Sequence, residues 1–122
     1  MKEEPLSKEK PLRTIIRTKQ FDEFYFKLPR KVQTKFDYVM NVIINIYDIP
    51  TKFIKHLQNT DLYEMRVSVG PNEYRTVVFA IDHDNVIQAS KVILLNGFIK
   101  KSTKDYIKEI ETANKILDEL LS

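Results

Sequence analysis

The chain has 122 residues, of which 20 are Lys or Arg and 17 are Asp or Glu, leaving a formal net charge of +3 at pH 7. That length supports one domain, and 43% hydrophobic with 11% aromatic residues suffices for one packed core. The absence of cysteine excludes disulfides, thiolate zinc sites and a cysteine nucleophile together, while two Gly and five Pro exclude collagenous and flexible low-complexity chains.

Residues 1–11 carry Lys2, Glu3, Glu4, Lys8, Glu9 and Lys10 with two prolines. Such a segment buries too little surface to offset its ordering entropy, which predicts a mobile arm ahead of a domain over residues 12–122. The charged start lacks the apolar stretch of a signal peptide. No run approaches the ~18 apolar residues of a membrane span, since the richest, Val39 to Ile49, is broken by Asn41, Asn45 and Asp48. A cytoplasmic location without a membrane partner is the expectation.

Leu12 to Thr18 holds Ile15 and Ile16 among polar and β-branched neighbours and predicts a first strand. Phe21, Phe24, Tyr25 and Leu28 then lie at i, i+3, i+4 and i+7, one face of a helix. Pro29 suits the first position of a second helix, along which Val32, Phe36, Val39, Met40, Ile43, Ile46 and Tyr47 recur at helical spacing. Pro50 closes that pattern. The aromatic stripe Phe21, Phe24, Tyr25 and Phe36 resembles a base-stacking platform, but its helical spacing favours ordinary core packing.

After Pro50 the period falls from 3.6 to 2. Leu62 to Val69 alternates as one strand, and Tyr74 to Ile81 follows the Gly70-Pro71-Asn72 turn as a second. Val86 to Leu95 reads as a third strand after the Asp82-His83-Asp84-Asn85 turn, and Asn96-Gly97 as the end of the sheet. Ser102 caps a final helix with Asp105 in its first turn and Tyr106, Ile110, Ala113, Leu117 and Leu120 along its apolar face. The order is β-α-α-β-β-β-α, an α+β domain with helices packed on a twisted, mainly antiparallel sheet.

No phosphate-binding glycine loop, dinucleotide fingerprint or paired-histidine metal motif occurs, and His56 and His83 are the only histidines. No metal or other cofactor is expected. The positive features are basic. Asn85 to Lys104 contains Lys91, Lys100, Lys101 and Lys104 and no acid, while Arg66 and Arg75 flank one hairpin and Lys55 precedes it. Directly opposite side chains on one sheet face come within about 5 Å, so these groups are able to converge on a phosphate. The plainer reading is a solvated face with Glu64 and Glu73 as surface partners for the two arginines.

At these segments the sequence resembles the RelE/ParE toxin superfamily, and within it the phage-derived, HigB-like branch. The matching words are Lys55-His56-Leu57, Leu62-Tyr63-Glu64-Met65-Arg66-Val67, Asn72-Glu73-Tyr74-Arg75 and Leu94-Leu95-Asn96-Gly97-Phe98-Ile99-Lys100-Lys101, in the family's order. Glu109-Ile110-Glu111-Thr112-Ala113 in the final helix fits as well. The resemblance implies the toxin of a type II toxin–antitoxin pair: a metal-independent, ribosome-dependent endoribonuclease in which a 2′-OH attacks the scissile phosphate. It implies Arg66, Arg75, Lys100 and Lys101 as catalytic residues and Lys55, Lys91 and Lys104 as RNA-binding ones. His56, Lys55 and Tyr106 remain alternative acids or bases. The implied partners are messenger RNA on the ribosome and an adjacently encoded antitoxin of helix-turn-helix type. The sequence departs from the family in having Ser102-Thr103-Lys104-Asp105 without a proline after the double lysine, and in Ile87-Gln88-Ala89-Ser90, which reads as a lengthening of the third strand. Two other readings stay open: a ParE-like toxin that binds DNA gyrase without cutting RNA, and an inactive phage-derived interaction module.

Overall fold

The computed structural model describes residues 10–122. Of the arm expected over residues 1–11, all but Lys10 and Pro11 lie outside the described residues. Eight elements follow among these residues: β1 (Thr14–Arg17), α1 (Lys19–Phe26), α2 (Arg30–Asn45), β2 (Ile54–His56), β3 (Leu62–Val69), β4 (Asn72–Ala80), β5 (Lys91–Ile99) and α3 (Thr103–Leu121). The strands form one sheet in the order β1-β5-β4-β3-β2. β1 runs parallel to β5, and the other neighbours are antiparallel. The α+β class and the mainly antiparallel sheet stand as the sequence predicts, with one extra short strand, β2.

Alternation along β3 and β4 divides the side chains between two cores. Met65, Val67, Tyr74 and Val78 face α1 and α2, where they join Phe21, Phe36, Val39 and Ile43. Leu62, Val77, Ile93 and Leu95 face α3 and meet Ala113, Ile116 and Leu117 from its back half. The front of α3 stands over one end of the sheet, where Tyr106 meets the Phe98 ring edge-on with centroids 5.5 Å apart.

The helices begin with side-chain caps or with proline. Thr18 Oγ1 accepts the Phe21 N–H at 3.0 Å and donates to Leu95 O, so the start of α1 is tied to β5. Pro29 is the N-cap of α2 rather than its first residue, with φ −58° and ψ 150°; its ring fixes φ but leaves ψ free. Ser102 Oγ accepts the Asp105 N–H at the start of α3. α2 stops at Asn45, short of the spacing that includes Ile46 and Tyr47, and both of those are exposed. Arg13, which is only 2% exposed, binds the chain at this end. Its guanidinium donates from Nη1 to Ile43 O and Ile46 O (both 2.8 Å), from Nη2 to Tyr47 O (2.7 Å) and Ile87 O (2.6 Å), and from Nε to Val86 O (3.1 Å). Three of these bonds serve carbonyls at and just past the end of α2, where helical partners run out, and two serve the turn before β5. Burial pushes the Arg13 pKa below its ordinary value, against the opposing influence of Tyr47 and Asp48.

The third predicted strand is displaced. Val86 to Ser90 forms a turn, held by the Asp82 carboxylate, which accepts the N–H groups of Ser90 (2.9 Å) and Lys91 (3.1 Å) and the Ser90 hydroxyl. Val86 and Ala89 are nonetheless buried, which is why the stretch reads as strand. Asn96-Gly97 does not end the sheet, because it lies inside β5 at a bulge. Thr76 pairs with Gly97 and Val78 with Leu94, so Leu95 and Asn96 together oppose Val77. Asn96 Nδ2 donates to Glu109 O of α3 at 3.1 Å. A Cβ on Gly97 would lie 2.3 Å from Phe24 Cδ2, so only glycine lets α1 pack this close to β5.

Candidate functional site

A cleft of about 430 Å³ opens at the end of the sheet, between β2, β3 and the turn into α3. Lys55, Arg66, Lys100 and Lys101 line it with a single carboxylate, that of Glu64. His56, Gln58, Tyr106, and Ser102 and Thr103 at the start of α3 complete the wall. The positive end of the α3 dipole therefore adds to the side-chain charge.

The floor is built from the β3–β4 ladder, in which Arg66 and Arg75 are direct partners. Two guanidinium groups so placed repel one another, and Glu64, only 4% exposed on the same face, offsets that repulsion. Its Oε2 accepts from Arg66 Nε at 2.6 Å and lies 3.8 Å from Arg75 Nε. Its Oε1 has no hydrogen-bond partner among the described residues, and neither has Arg75 Nε. The bond to Glu64 is the one hydrogen bond that the Arg66 side chain makes among these residues, so Nη1 and Nη2 stay available to an incoming anion. Arg75 is buried. It donates from Nη1 to Glu73 Oε1 at 3.2 Å and to Tyr74 O at 3.1 Å, and it backs the cleft without lining it. The Glu73 carboxyl is held below its ordinary pKa, first by the Ser68 hydroxyl (2.7 Å), then by Arg75 and the charge of Lys100, while desolvation opposes them.

Around the rim, Lys100 continues the β5 ladder through its N–H to Glu73 O (2.8 Å), and its Nζ lies 6.0 Å from the Tyr106 ring centroid. His56 Nε2 lies 2.7 Å from Thr60 O. A carbonyl only accepts, so that contact assigns the proton to Nε2 and leaves the Nδ1 lone pair free when the ring is neutral. The structure thus brings together Lys55, His56, Arg66, Lys100, Lys101 and Tyr106, with Arg75 behind them. Lys104 is exposed on the first turn of α3 but does not line the cleft. Lys91 lies at the far end of β5, opposite Thr14, about 25–30 Å along the strand from Lys100. The sequence treats Glu64 as a surface partner, whereas it is a buried hinge between the two arginines. Gln58, Ser102 and Thr103 carry no signal beyond turn and cap chemistry.

Among the described residues no cluster of three or more His, Asp or Glu side chains is placed to hold a metal ion, and no helix is long and apolar enough to cross a membrane. No curated protein matches the sequence significantly. The fold is similar to that of the E. coli toxin RelE, solved in the free state as a double-arginine mutant, with a TM-score of 0.54 at 14% identity over 80% of this chain and 92% of that one. The model of the family described as phage derived protein Gp49-like matches residues 23–118. With its RelE-type fold and its match across most of the domain, the chain belongs to the phage-derived Gp49-like family, a family of RelE/HigB-type toxins.

Proposed function

We propose that the chain is the toxin of a toxin–antitoxin pair and that its cleft cuts messenger RNA in the ribosome, in the cytoplasm. The observation that carries this reading is the Arg66 guanidinium, tethered through Nε to a buried carboxylate while its Nη groups face a cleft lined by Lys55, Lys100 and Lys101. That is a preorganised receptor for a phosphate that gains charge during reaction. The 2′-oxygen attacks the adjacent phosphorus, the P–O5′ bond breaks, and a cyclic phosphate and a 5′-hydroxyl result. Arg66 takes two non-bridging oxygens in its fork, and the lysines neutralise the added charge. Arg75 acts through Glu64, holding the carboxylate that aims Arg66. His56 Nδ1 receives the 2′-OH proton, and the Tyr106 hydroxyl supplies one to the leaving oxygen. A helix-turn-helix antitoxin encoded beside the toxin silences it by covering the basic cleft or barring ribosome entry.

The test is induction of the chain with and without its neighbouring reading frame, with primer extension on cellular messages. Growth arrest with cuts on translated messages, relieved by the neighbour and lowered ~100-fold or more in Arg66→Ala, is the expected result. Normal growth without cuts overturns the reading, as does growth arrest with DNA breaks in place of RNA cuts.

A further inference from the structure

A second depression lies across Arg66 from the cleft. It holds about 320 Å³ and is lined by Lys35 and Tyr38 of α2, Lys52 and Phe53 ahead of β2, and Arg66 and Ser68 of β3. It exists because β2 is short. Its three residues pair with Tyr63, Glu64 and Met65 and leave β3 beyond them uncovered. Arg66 N–H still reaches Phe53 O at 2.8 Å, so ladder alternation turns the main-chain N–H and C=O of Ser68 toward the open edge. Three cations and no carboxylate line this trough.

Tyr38 is 54% exposed, on the side of α2 away from the buried Phe36. It is not loose. Its ring meets Phe53 edge-on at 5.9 Å, and Lys35 Nζ lies 5.4 Å from its centroid. Lys52 Nζ lies 4.9 Å from the Phe53 centroid. A braced, half-exposed aromatic ring among cations is the chemistry that holds an unpaired nucleotide, by stacking on the base and pairing with its phosphate. Arg66 lines both depressions, so a strand bound at Arg66 lies at the edge of each.

We infer that the trough of Lys35, Tyr38 and Lys52 is a second RNA subsite, which stacks one base flanking the phosphate held by Arg66. The inference rests on the reading of the cleft as an RNA site, but its test is separate. The probe is a short, fluorescein-labelled, 2′-O-methylated single-stranded RNA, which binds but has no 2′-OH to react. Tyr38→Ala is expected to weaken binding about tenfold and Tyr38→Phe to leave it within twofold, because stacking needs the ring and not the hydroxyl. Lys52→Gln lowers the slope of log affinity against log salt by about 0.7, the loss of one phosphate contact on a single strand. Melting temperatures of the variants serve as the folding control. Equal affinity of Tyr38→Ala and the unaltered chain overturns the subsite, and so does failure of the unaltered chain to bind the probe. An abasic residue beside the cut site in a ribosome-bound message distinguishes the strand contacted. It should weaken the unaltered chain about tenfold and Tyr38→Ala no further; equal additional weakening of both places the stack on ribosomal RNA and overturns the inference. A chain that binds the probe through Tyr38 but cuts no message sinks the nuclease reading and leaves the subsite standing.

Discussion

Arg13→Lys isolates the contribution of one buried guanidinium to the fold. The five N–H donors of Arg13 each meet a main-chain carbonyl, three of them at the end of α2 and two in the turn before β5. An ammonium has three donors, so at least two carbonyls lose the contact, and because Tyr47 O keeps the Ile49 N–H at 3.1 Å, at least one is left without a donor. Leaving a buried carbonyl unserved costs about 1–3 kcal/mol, which over one or two carbonyls puts the loss at about 1–6 kcal/mol. An unfolding entropy of about 0.26 kcal/mol/K for a chain of this length converts this to a fall in Tm of about 4–23 °C. Thermal melts followed by circular dichroism, with urea titrations at an unchanged m-value, measure it. Arg13→Met withdraws all five donors and, with Tyr47 O still accepting the Ile49 N–H, bares four carbonyls, so it should lose more than Arg13→Lys. A Lys variant within about 3 °C of the unaltered chain, or a Met variant more stable than the Lys one, would refute the reasoning.

Two further predictions concern the frame around the site. Gly97→Ala forces the Phe24 ring away from a Cβ that would lie 2.3 Å from it, and overpacking of this kind costs about 1–3 kcal/mol; Phe24→Leu in the same chain should restore part of the loss, and a strictly additive double variant would show that the two do not collide. Asp82, lowered to about 2 first by its hydrogen bond from the Ser90 hydroxyl and further by main-chain N–H groups, with desolvation opposing, contributes stability above its unfolded pKa of ~3.9 that disappears as pH falls toward 2. The Tm gap between the unaltered chain and Asp82→Asn should therefore be full at pH 6 and close between about pH 4 and pH 2; a gap independent of pH would contradict the assignment.

The elements with a complete local code were legible. β3 runs from Leu62 to Val69 as its alternation predicts, because Thr60-Asp61 and Gly70-Pro71 bound a clean period of 2. α3 begins where Ser102 can cap it. Elements that depend on distant partners were not legible. Three residues of β2 are too few to display a period, and their pairing comes wholly from β3. Ile46 and Tyr47 continue a helical pattern past the end of α2, where their carbonyls instead meet Arg13, over 30 residues away. At the site, the sequence shows which residues are basic and that Arg66 and Arg75 flank one turn. It does not show that Glu64 would be buried between them, nor that Lys91 would fall at the opposite end of its strand, since both depend on strand register.

The bulge at Leu95 and Asn96 carries a consequence for how the cleft is encoded. Each strand residue changes sides, so one additional residue inverts the facing of everything after it. Beyond the bulge, Phe98 and then Lys100 fall on the side of α3, opposite Glu73, where strict alternation from Ile93 would have delivered Ile99 in their place. The side on which Lys100 leaves the strand is thus a matter of parity and not of composition. Losing a single residue between Leu94 and Gly97 would leave both lysines in the chain and reverse the side to which Lys100 is offered. Chains of this fold that keep the double lysine but differ by one residue in this strand would hold the same charges and a different cleft.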